Sequence, residues 1–439
     1  MAKVVKFGGS SLASAEQFQK VGNIIRADES RRFVVPSAPG KRFSEDTKVT
    51  DMLYACYTQA ENGEDFTEEM KAIAERYQEI IDGLGLKLSL ENEFKTIAEN
   101  FKAKAGSNYA ASRGEYLNGI IMAEYLGYEF VDAATVIFFD NEGNFDADKT
   151  NKVLSKRLAK CQNAVVPGFY GALADGTVKT FSRGGSDVTG SIVAKAVKAD
   201  VYENWTDVSG FLIADPRIIR NPEGIDVITY RELRELSYMG ASVLHEDAIF
   251  PVRQEGIPIN IRNTNAPEDN GTWIVGSTCQ KSKYVITGIA GKKGFCSINI
   301  EKDMMNGEIG FVRKVLQAFE ENDISIEHVP SGIDTMTVFV HQDEFMHKEQ
   351  QVVAGIHRLA NPDAIDIEAD LALIAVVGRG MKSARGTAGR IFSALAHSKI
   401  NVKMIDQGSS ELNIIIGVAN EDFEAAIKAI YDIFVLTKI

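Results

Sequence analysis

Cysteine is scarce: the 439-residue chain carries four, Cys56, Cys161, Cys279 and Cys296, and no two form a C-x-x-C pair. That spacing suggests neither a disulfide framework nor a zinc cluster and leaves free, reduced thiols. Histidine is also rare, and His245 is the only one before His328. No apolar run approaches the roughly 20 residues that span a bilayer. Met1 leads directly into a strand-like segment with no basic stretch followed by an apolar one, so a cytoplasmic protein without a membrane partner is expected. Positive charge is in deficit, with 48 Lys and Arg against 61 Asp and Glu, a net charge of −13 and a pI near 5.1. The summed field repels phosphate polymers, which argues against a nucleic-acid partner; a small anionic ligand needs local positive groups.

What is present is enough apolar material, 45% of the chain, for more than one core. From 1 to about 280, short β-branched runs (KVVKF, FVVP, YEFVDA, NAVVPGF, DVYENW, IPINI) alternate with helical patterns near 14–30 and across 48–126. Alternation of this kind predicts an α/β domain with a largely parallel central sheet, whose ligands sit at the glycine-bearing turns after the strands. Turn formers at 265–283 mark its exit.

An internal repeat follows. Ile400 and Ile324 are 400 − 324 = 76 residues apart, and the same offset pairs Gly310 with Gly386, Phe319 with Leu395, Gly332 with Gly408 and Val338 with Ile414. Each copy reads strand, helix, strand, turn, strand, helix, so two βαββα units are expected, at 284–369 and 370–439, with strands open to exchange between them.

Three motifs suggest phosphate chemistry. KFGGSS, Lys6 to Ser11, follows a strand and precedes a helix near Ser14, so backbone N–H groups and a positive helix end can face a phosphate. It lacks the G-K-[ST] ending of a Walker A loop and reads equally as an ordinary strand-to-helix turn. SRGGSDVTG, Ser182 to Gly190, sets Arg183 and Asp187 on either side of two glycines. Arginine can hold a carboxylate or phosphate in two-pronged fashion, while Ser186 or Asp187 could instead cap the next helix. WTDVSGFLIADPR, Trp205 to Arg217, closes a strand that faces the same crevice, although Asp215-Pro216 alone is a surface turn. Gly378-Arg379-Gly380 echoes a dinucleotide fingerprint but lies inside the second repeat and reads as a turn.

These motifs, in this order and followed by a tandem βαββα region, closely resemble the aspartokinases of the amino-acid kinase family across essentially the whole chain, and the repeats resemble ACT domains. The resemblance implies an amino-acid-kinase-like sandwich with two ferredoxin-like regulatory domains. It implies ATP and Mg2+ as cofactors, with no dedicated protein metal site, and L-aspartate as substrate. The product would be 4-phospho-L-aspartate, the first step toward lysine, threonine and methionine.

By motif, Lys6, Gly8, Gly9 and Ser10 would contact ATP phosphates, and Lys6 would offset charge on the transferred phosphoryl group. Thr206, Asp207, Leu212, Arg217 and Ser242 would lie near the nucleotide. Ser37, Thr50 and Glu115 would bind substrate, Glu115 through the ammonium group; Arg183 would hold the substrate carboxylate and Asp187 would organise the site. Without the resemblance, Glu115 reads as a solvated helix face and Thr50 as a helix N-cap. The chain departs from relatives at Leu212, where many have tyrosine, and at Ser242, where a lysine is expected. The acceptor carboxylate, with a reference pKa of about 3.9, is already ionised at neutral pH and requires no general base, which suits the histidine count.

For the repeats, the choice is between a structural or dimerising module and a sensor. Glu327 stands where the second copy has Lys403 (403 − 327 = 76), and an acid there suits an amino acid's ammonium group. N–H groups near Gly310 and Phe311, opening a helix, suit its carboxylate. The resulting expectation is an effector, lysine or threonine, near Met305, Glu308, Ser325 and Glu327 at a homodimer interface, with tetramers conceivable. The rival readings are a kinase of the same fold for glutamate or acetylglutamate, and a non-catalytic amino-acid sensor. The chain stops about 20 residues past its last clear strand, so a stand-alone kinase without a fused dehydrogenase is expected.

Overall fold

The computed structural model describes residues 1–182, 184–241, 244, 248–278, 280 and 282–437. They fall into two units: Met1–Phe211, Gly224–Tyr230 and Val243–Thr278 in the first, and Leu212–Glu223, Arg231–Ser242 and Cys279–Ile439 in the second.

The first unit is built on β1 (Lys3–Phe7), β2 (Arg31–Pro36), β3 (Glu129–Phe130), β4 (Ala164–Val165), a hairpin of β5 (Tyr170–Ala172) and β6 (Val178–Thr180), β7 (Val201–Thr206), β8 (Val227–Thr229), β9 (Ile259–Asn263) and β10 (Thr272–Val275). The main sheet runs β3-β4-β2-β1-β7-β9-β10-β8. Every pairing is parallel except β9 with β10. β10 therefore lies inside the region that the sequence reads as an exit, and NAPEDNG is the connection from β9 to it. Val4, Val5 and Phe7 are fully buried, because a parallel sheet is covered on both faces. The helices are α1 (Ala15–Arg26), α2 (Val49–Asn62), α3 (Thr67–Leu84), α4 (Glu91–Lys102), α5 (Ser107–Leu126), α6 (Ala147–Leu158) and α7 (Gly185–Ala196). α1 starts at Ser14, whose side chain accepts from Gln17 N–H, and buries Phe18, Val21, Ile24 and Ile25 on one face.

One buried polar residue in β7, Glu203, braces the centre of the sheet. Glu203 accepts from Arg31 at 2.8 Å, Lys3 at 3.0 Å and the Trp205 indole at 2.9 Å. A buried carboxylate with three donors is compensated for leaving water, and here it ties β1, β2 and β7 together.

In the second unit, α8 (Tyr230–Tyr238) supplies its residues from Arg231 onward, and the first repeat comprises β11 (Gly288–Glu301), α10 (Phe311–Glu320), β12 (Ile326–His328), β13 (Thr335–His341) and α12 (Glu349–Ala360). The intervening α9 (Phe250–Glu255) belongs to the first unit and α11 (Gln342–Met346) is a short turn between β13 and α12. The second repeat comprises β14 (Ala364–Val377), α13 (Thr387–His397), β15 (Met404–Asp406), β16 (Asn413–Ala419) and α14 (Phe423–Tyr431). The offset of 76 carries β11 onto β14 end to end (288 + 76 = 364; 301 + 76 = 377). Gly310 and Gly386 share a left-handed N-cap conformation, with φ of 83° and 81°.

The strands form one six-stranded antiparallel sheet, β12-β13-β11-β14-β16-β15. The C-terminal half of β11 pairs with β13 on one side and with the start of β14 on the other, which gives the first copy a fourth strand. The end of β14, between β16 and the start of β11, does the same for the second copy. Each βαββα copy is thereby completed to βαββαβ by a strand of its twin, and the division at 369/370 falls within β14.

Candidate active site

Lys6 is the penultimate residue of β1 and is nearly buried. Strand register places it beside Asn204 on β7. Asp187, in the first turn of α7, completes a cluster: its Oδ1 is 2.6 Å from Lys6 Nζ and accepts from Asn204 Nδ2 at 2.8 Å. The N-cap of α7 is Gly184, left-handed at φ 57° and without a side-chain cap bond. Neither Ser186 nor Asp187 caps the helix, and the Asp187 carboxylate is turned to Lys6 instead.

The loop after β1 meets the loop after β2. Gly8 N–H donates to Trp205 C=O, and Gly40 N–H to Gly9 C=O at 2.8 Å. A Cβ on Gly9 would stand 2.8 Å from Ala38 O, and one on Gly40 would stand 2.6 Å from Gly9 C, so both must be glycine for the loops to cross. The 37–48 loop is braced from α3, where buried Arg76 donates to Gly40 C=O at 2.6 Å and pairs with Asp46 at 2.8 Å. Ser10 is exposed at the surface of this crossing, while Ser11 bonds Thr264.

Glu115, in α5, is not a solvated helix face. It is 6% exposed, and its Oε2 has no hydrogen-bond partner among the described residues. Burial pushes its carboxyl up to about 8, against the opposing effects of the Ala38 N–H and the charges of Arg113 and Lys6. Thr50, in the first turn of α2, is not its N-cap, which is Lys48. Its Oγ1 lies 3.7 Å from the position a Cβ on Gly114 would take, next to Glu115. Ser37 directly follows β2, and its C=O accepts from Asn118 Nδ2 at 2.6 Å. Lys6, Gly8, Gly9, Ser37, Thr50, Glu115 and Asp187 therefore gather where β1, β2 and α7 present their loops, at the carboxyl ends of parallel strands.

Thr206 closes β7 next to the Gly8 turn, whose N–H reaches Trp205 C=O, and Asp207 follows it, with Thr206 Oγ1 3.2 Å from Asp207 Oδ1. Leu212 and Arg217 belong to the Leu212–Glu223 segment of the second unit; Leu212 is exposed, and Arg217 pairs with Asp215 at 2.6 Å. Arg183 and Ser242 lie outside the described residues. Among the described residues no group of three His, Cys, Asp or Glu is arranged to hold a metal ion, and no helix is long and apolar enough to cross a membrane. Cys56, Cys161 and Cys296 are buried and unbridged. A cavity of about 730 Å3 is lined by Phe139, Phe145, Phe181 and Lys179, but none of Lys6, Glu115 or Asp187 reaches it.

The reading from sequence did not single out Asn204 or Asn118. Both carry a legible signal: DVYENW puts two polar residues into a strand buried on both faces, and YLNGIIM sets an asparagine in an apolar helix stretch.

In the second unit, Gly310 caps α10 without a side-chain bond, beside buried Met305 and Phe311. Glu308 pairs with Lys314 at 2.7 Å, and Ser325 is exposed. The Glu327 carboxylate accepts from Tyr238 OH at 2.7 Å and lies 3.3 Å from His341 Nε2. Burial and this carboxylate push the Tyr238 hydroxyl up to about 12. Ile309 is 98% exposed beside this helix end.

The sequence profile of the amino acid kinase family matches residues 1–263, and that of the ACT domain matches residues 374–434. Aspartokinase 3 of Bacillus subtilis (strain 168) is 42% identical over 447 residues, covering 98% of each chain. The crystal structure of Clostridium acetobutylicum aspartate kinase is 51% identical, covers 98% of this chain and 99% of its own, and superposes with a TM-score of 0.89. E. coli aspartokinase III, solved with aspartate and ADP in the R-state and with lysine and aspartate in the T-state, shares the fold at 23% identity, with TM-scores of 0.75 and 0.72 over at least 98% of each chain. The buried Lys6–Asp187 pair on a parallel sheet, the glycine crossing beside it and the full-length likeness lead to one conclusion: this chain belongs to the amino acid kinase family and, within it, to the aspartokinases.

Proposed function

We propose that region 1–280 transfers the γ-phosphoryl group of ATP to the side-chain carboxylate of L-aspartate, forming 4-phospho-L-aspartate. The observation that carries the reading is Glu115, a buried carboxylate with an unmet acceptor beside the Lys6–Asp187 pair. An amino acid's ammonium group supplies the missing donors and charge, which an acetylated amine does not. Ser37 and Thr50 flank it, and Arg183 is assigned to the substrate carboxylate.

On this reading Lys6 moves from ground-state pairing with Asp187 to charge stabilisation of the transferred group. Phosphoryl transfer asks a protein chiefly for positioning and charge of this kind. Asp187 holds the Lys6 ammonium, and Asn204, donating to Asp187, holds that carboxylate in place. Gly8, Gly9 and Ser10 are assigned to the phosphates, with the Gly8 N–H already donated to Trp205 C=O, and Thr206, Asp207, Leu212, Arg217 and Ser242 are assigned to the nucleotide. Mg2+ is commonly held by one or two carboxylates plus phosphate oxygens, and Asp187 and Asp207 supply carboxylates of that kind, the ion neutralising phosphate charge when bound. Soluble substrates and an acidic chain suit a cytoplasmic enzyme.

ATP-dependent hydroxamate formation in hydroxylamine tests the acceptor. Signal is expected with aspartate and not with glutamate or acetylglutamate; preference for either of the latter, or no signal at all, overturns the reading.

Regions 284–369 and 370–439 are proposed as regulatory domains that dimerise and bind an amino-acid effector, lysine or threonine, at Met305, Glu308, Gly310, Phe311, Ser325 and Glu327. The uncapped α10 N-terminus suits a carboxylate, Glu327 suits an ammonium group, and exposed Ile309 suits a second copy. Titration calorimetry is expected to show heat with one of these amino acids, reduced at least about tenfold in affinity in Glu327→Gln. Absence of heat with every amino acid of the aspartate pathway removes the proposal.

A further inference from the structure

Asn118 has no role in the assignments above, yet it is fully buried one helical turn beyond Glu115 on α5. Its Nδ2 donates to Ser37 C=O at 2.6 Å; Ala38 packs against α5 beside Glu115, 2.8 Å from where a Cβ on Gly114 would stand, and its N–H favours the ionised Glu115 carboxylate. Ser37 C=O and Ala38 N–H belong to the same peptide unit. Asn118 therefore holds a peptide of the loop that follows β2 whose N–H lies toward Glu115, its neighbour at i − 3 on the same helix face. The donation to a carbonyl settles which end of the amide is which, and it leaves Asn118 Oδ1 buried without a partner among the described residues. A buried amide with an unmet acceptor is a poor packing residue, since an apolar side chain of the same volume avoids that cost. Asn118 is there for the bond it makes. The helix is itself held at this turn, where Tyr77 OH donates to Gly114 C=O at 2.7 Å.

We propose that Asn118 is a positioning residue for aspartate binding: it fixes the Ser37–Ala38 peptide so that the Ala38 N–H orients Glu115 for the substrate's ammonium group. The proposal rests on the reading of Glu115 as the ammonium partner. Loss of the Asn118 donor frees the peptide to rotate, which weakens one of the two backbone N–H groups, those of Ala38 and of Glu115 itself, that favour ionised Glu115. The charged and titratable groups facing Glu115 are Lys6 on β1, Arg113 on α5, Tyr54 on α2 and Tyr77 on α3, and none of them is altered by substituting Asn118.

The test is steady-state kinetics of the full chain across pH for wild type, Asn118→Leu, Glu115→Gln and the double variant. Asn118→Leu is expected to raise KM for aspartate about tenfold, with kcat and KM for ATP within about twofold of wild type. The acid limb of its kcat/KM profile for aspartate is expected to move to higher pH. In the Glu115→Gln background, Asn118→Leu is expected to add no further loss, because it acts through Glu115. Asn118→Ala, which removes the donor and adds no charge, carries the same test if the leucine variant folds poorly. An unchanged KM and acid limb in the Asn118 variants while Glu115→Gln is impaired overturns the proposal, as do losses that multiply in the double variant. An unimpaired Glu115→Gln enzyme instead removes the reading of Glu115 itself.

Discussion

Lys6→Ala is expected to lower kcat by about a hundred- to a thousandfold while KM for aspartate and for ATP changes by less than about threefold. The Lys6 ammonium is nearly buried, sits 2.6 Å from Asp187 Oδ1 and extends from the penultimate position of β1, a central strand of the sheet. In so dry a position a fixed positive charge acts on developing negative charge far more strongly than in water. Its effect is concentrated where charge shifts during transfer, so turnover suffers more than binding. The substitution also leaves Asp187 with Asn204 alone, which costs about 1–3 kcal/mol of stability. A thermal melt should accompany the kinetics to show a folded enzyme. A near-normal turnover number in a folded variant removes Lys6 from the catalytic assignment.

Glu115→Gln is expected to raise KM for aspartate about a hundredfold, the loss of a charged hydrogen-bonded partner of about 2.7 kcal/mol. The wild-type pH profile carries the same information. Glu115 must be ionised to receive an ammonium group, and burial pushes its carboxyl from the ordinary 4.5 up to about 8. Below about 8, therefore, kcat/KM for aspartate is expected to fall with decreasing pH, while kcat at saturating aspartate stays level, because bound ammonium holds the carboxylate ionised. Glu115→Gln should flatten that limb.

The sign for stability runs the other way. An acid whose folded pKa is raised binds its proton more tightly in the native than in the unfolded state, so the ligand-free enzyme loses stability as pH rises from 4.5 toward 8. At neutral pH the glutamine variant without substrate should melt higher than wild type, and aspartate should stabilise only the wild type. A glutamine variant that melts no higher, or a profile indifferent to the substitution, speaks against a buried carboxylate poised for a cation.

Much of this was readable in one dimension because it is written in local patterns. β-branched runs separated by helical periods required an α/β unit, since strands buried on both faces have no polar side to present. The 76-residue offset required two similar units, because two segments with the same pattern of glycines and apolar positions satisfy the same packing. KFGGSS located Lys6 and the glycine turn after it, while the crossing of Gly9 with Gly40 on the loop after β2 came from the structure.

What one dimension could not supply is who meets whom. The Asp187 carboxylate is compatible in sequence with a helix cap, and only the register of β1 against β7 delivers Lys6 and Asn204 to it. Glu115 is compatible with a wet helix face until α5 is packed over the 37–48 loop, which removes water and raises its pKa. The repeats are compatible with two separate modules until β11 and β14 pair along their length and each completes the other's sheet. The sequence alone determined the elements and the glycine turns, which are set by residues within one or two turns of each other, and the duplication, which shows as such a local pattern recurring 76 residues on. The ion pair, the stranded carboxylate and the shared sheet were decided by tertiary structure, because desolvation and hydrogen-bond partners come from segments tens to hundreds of residues away.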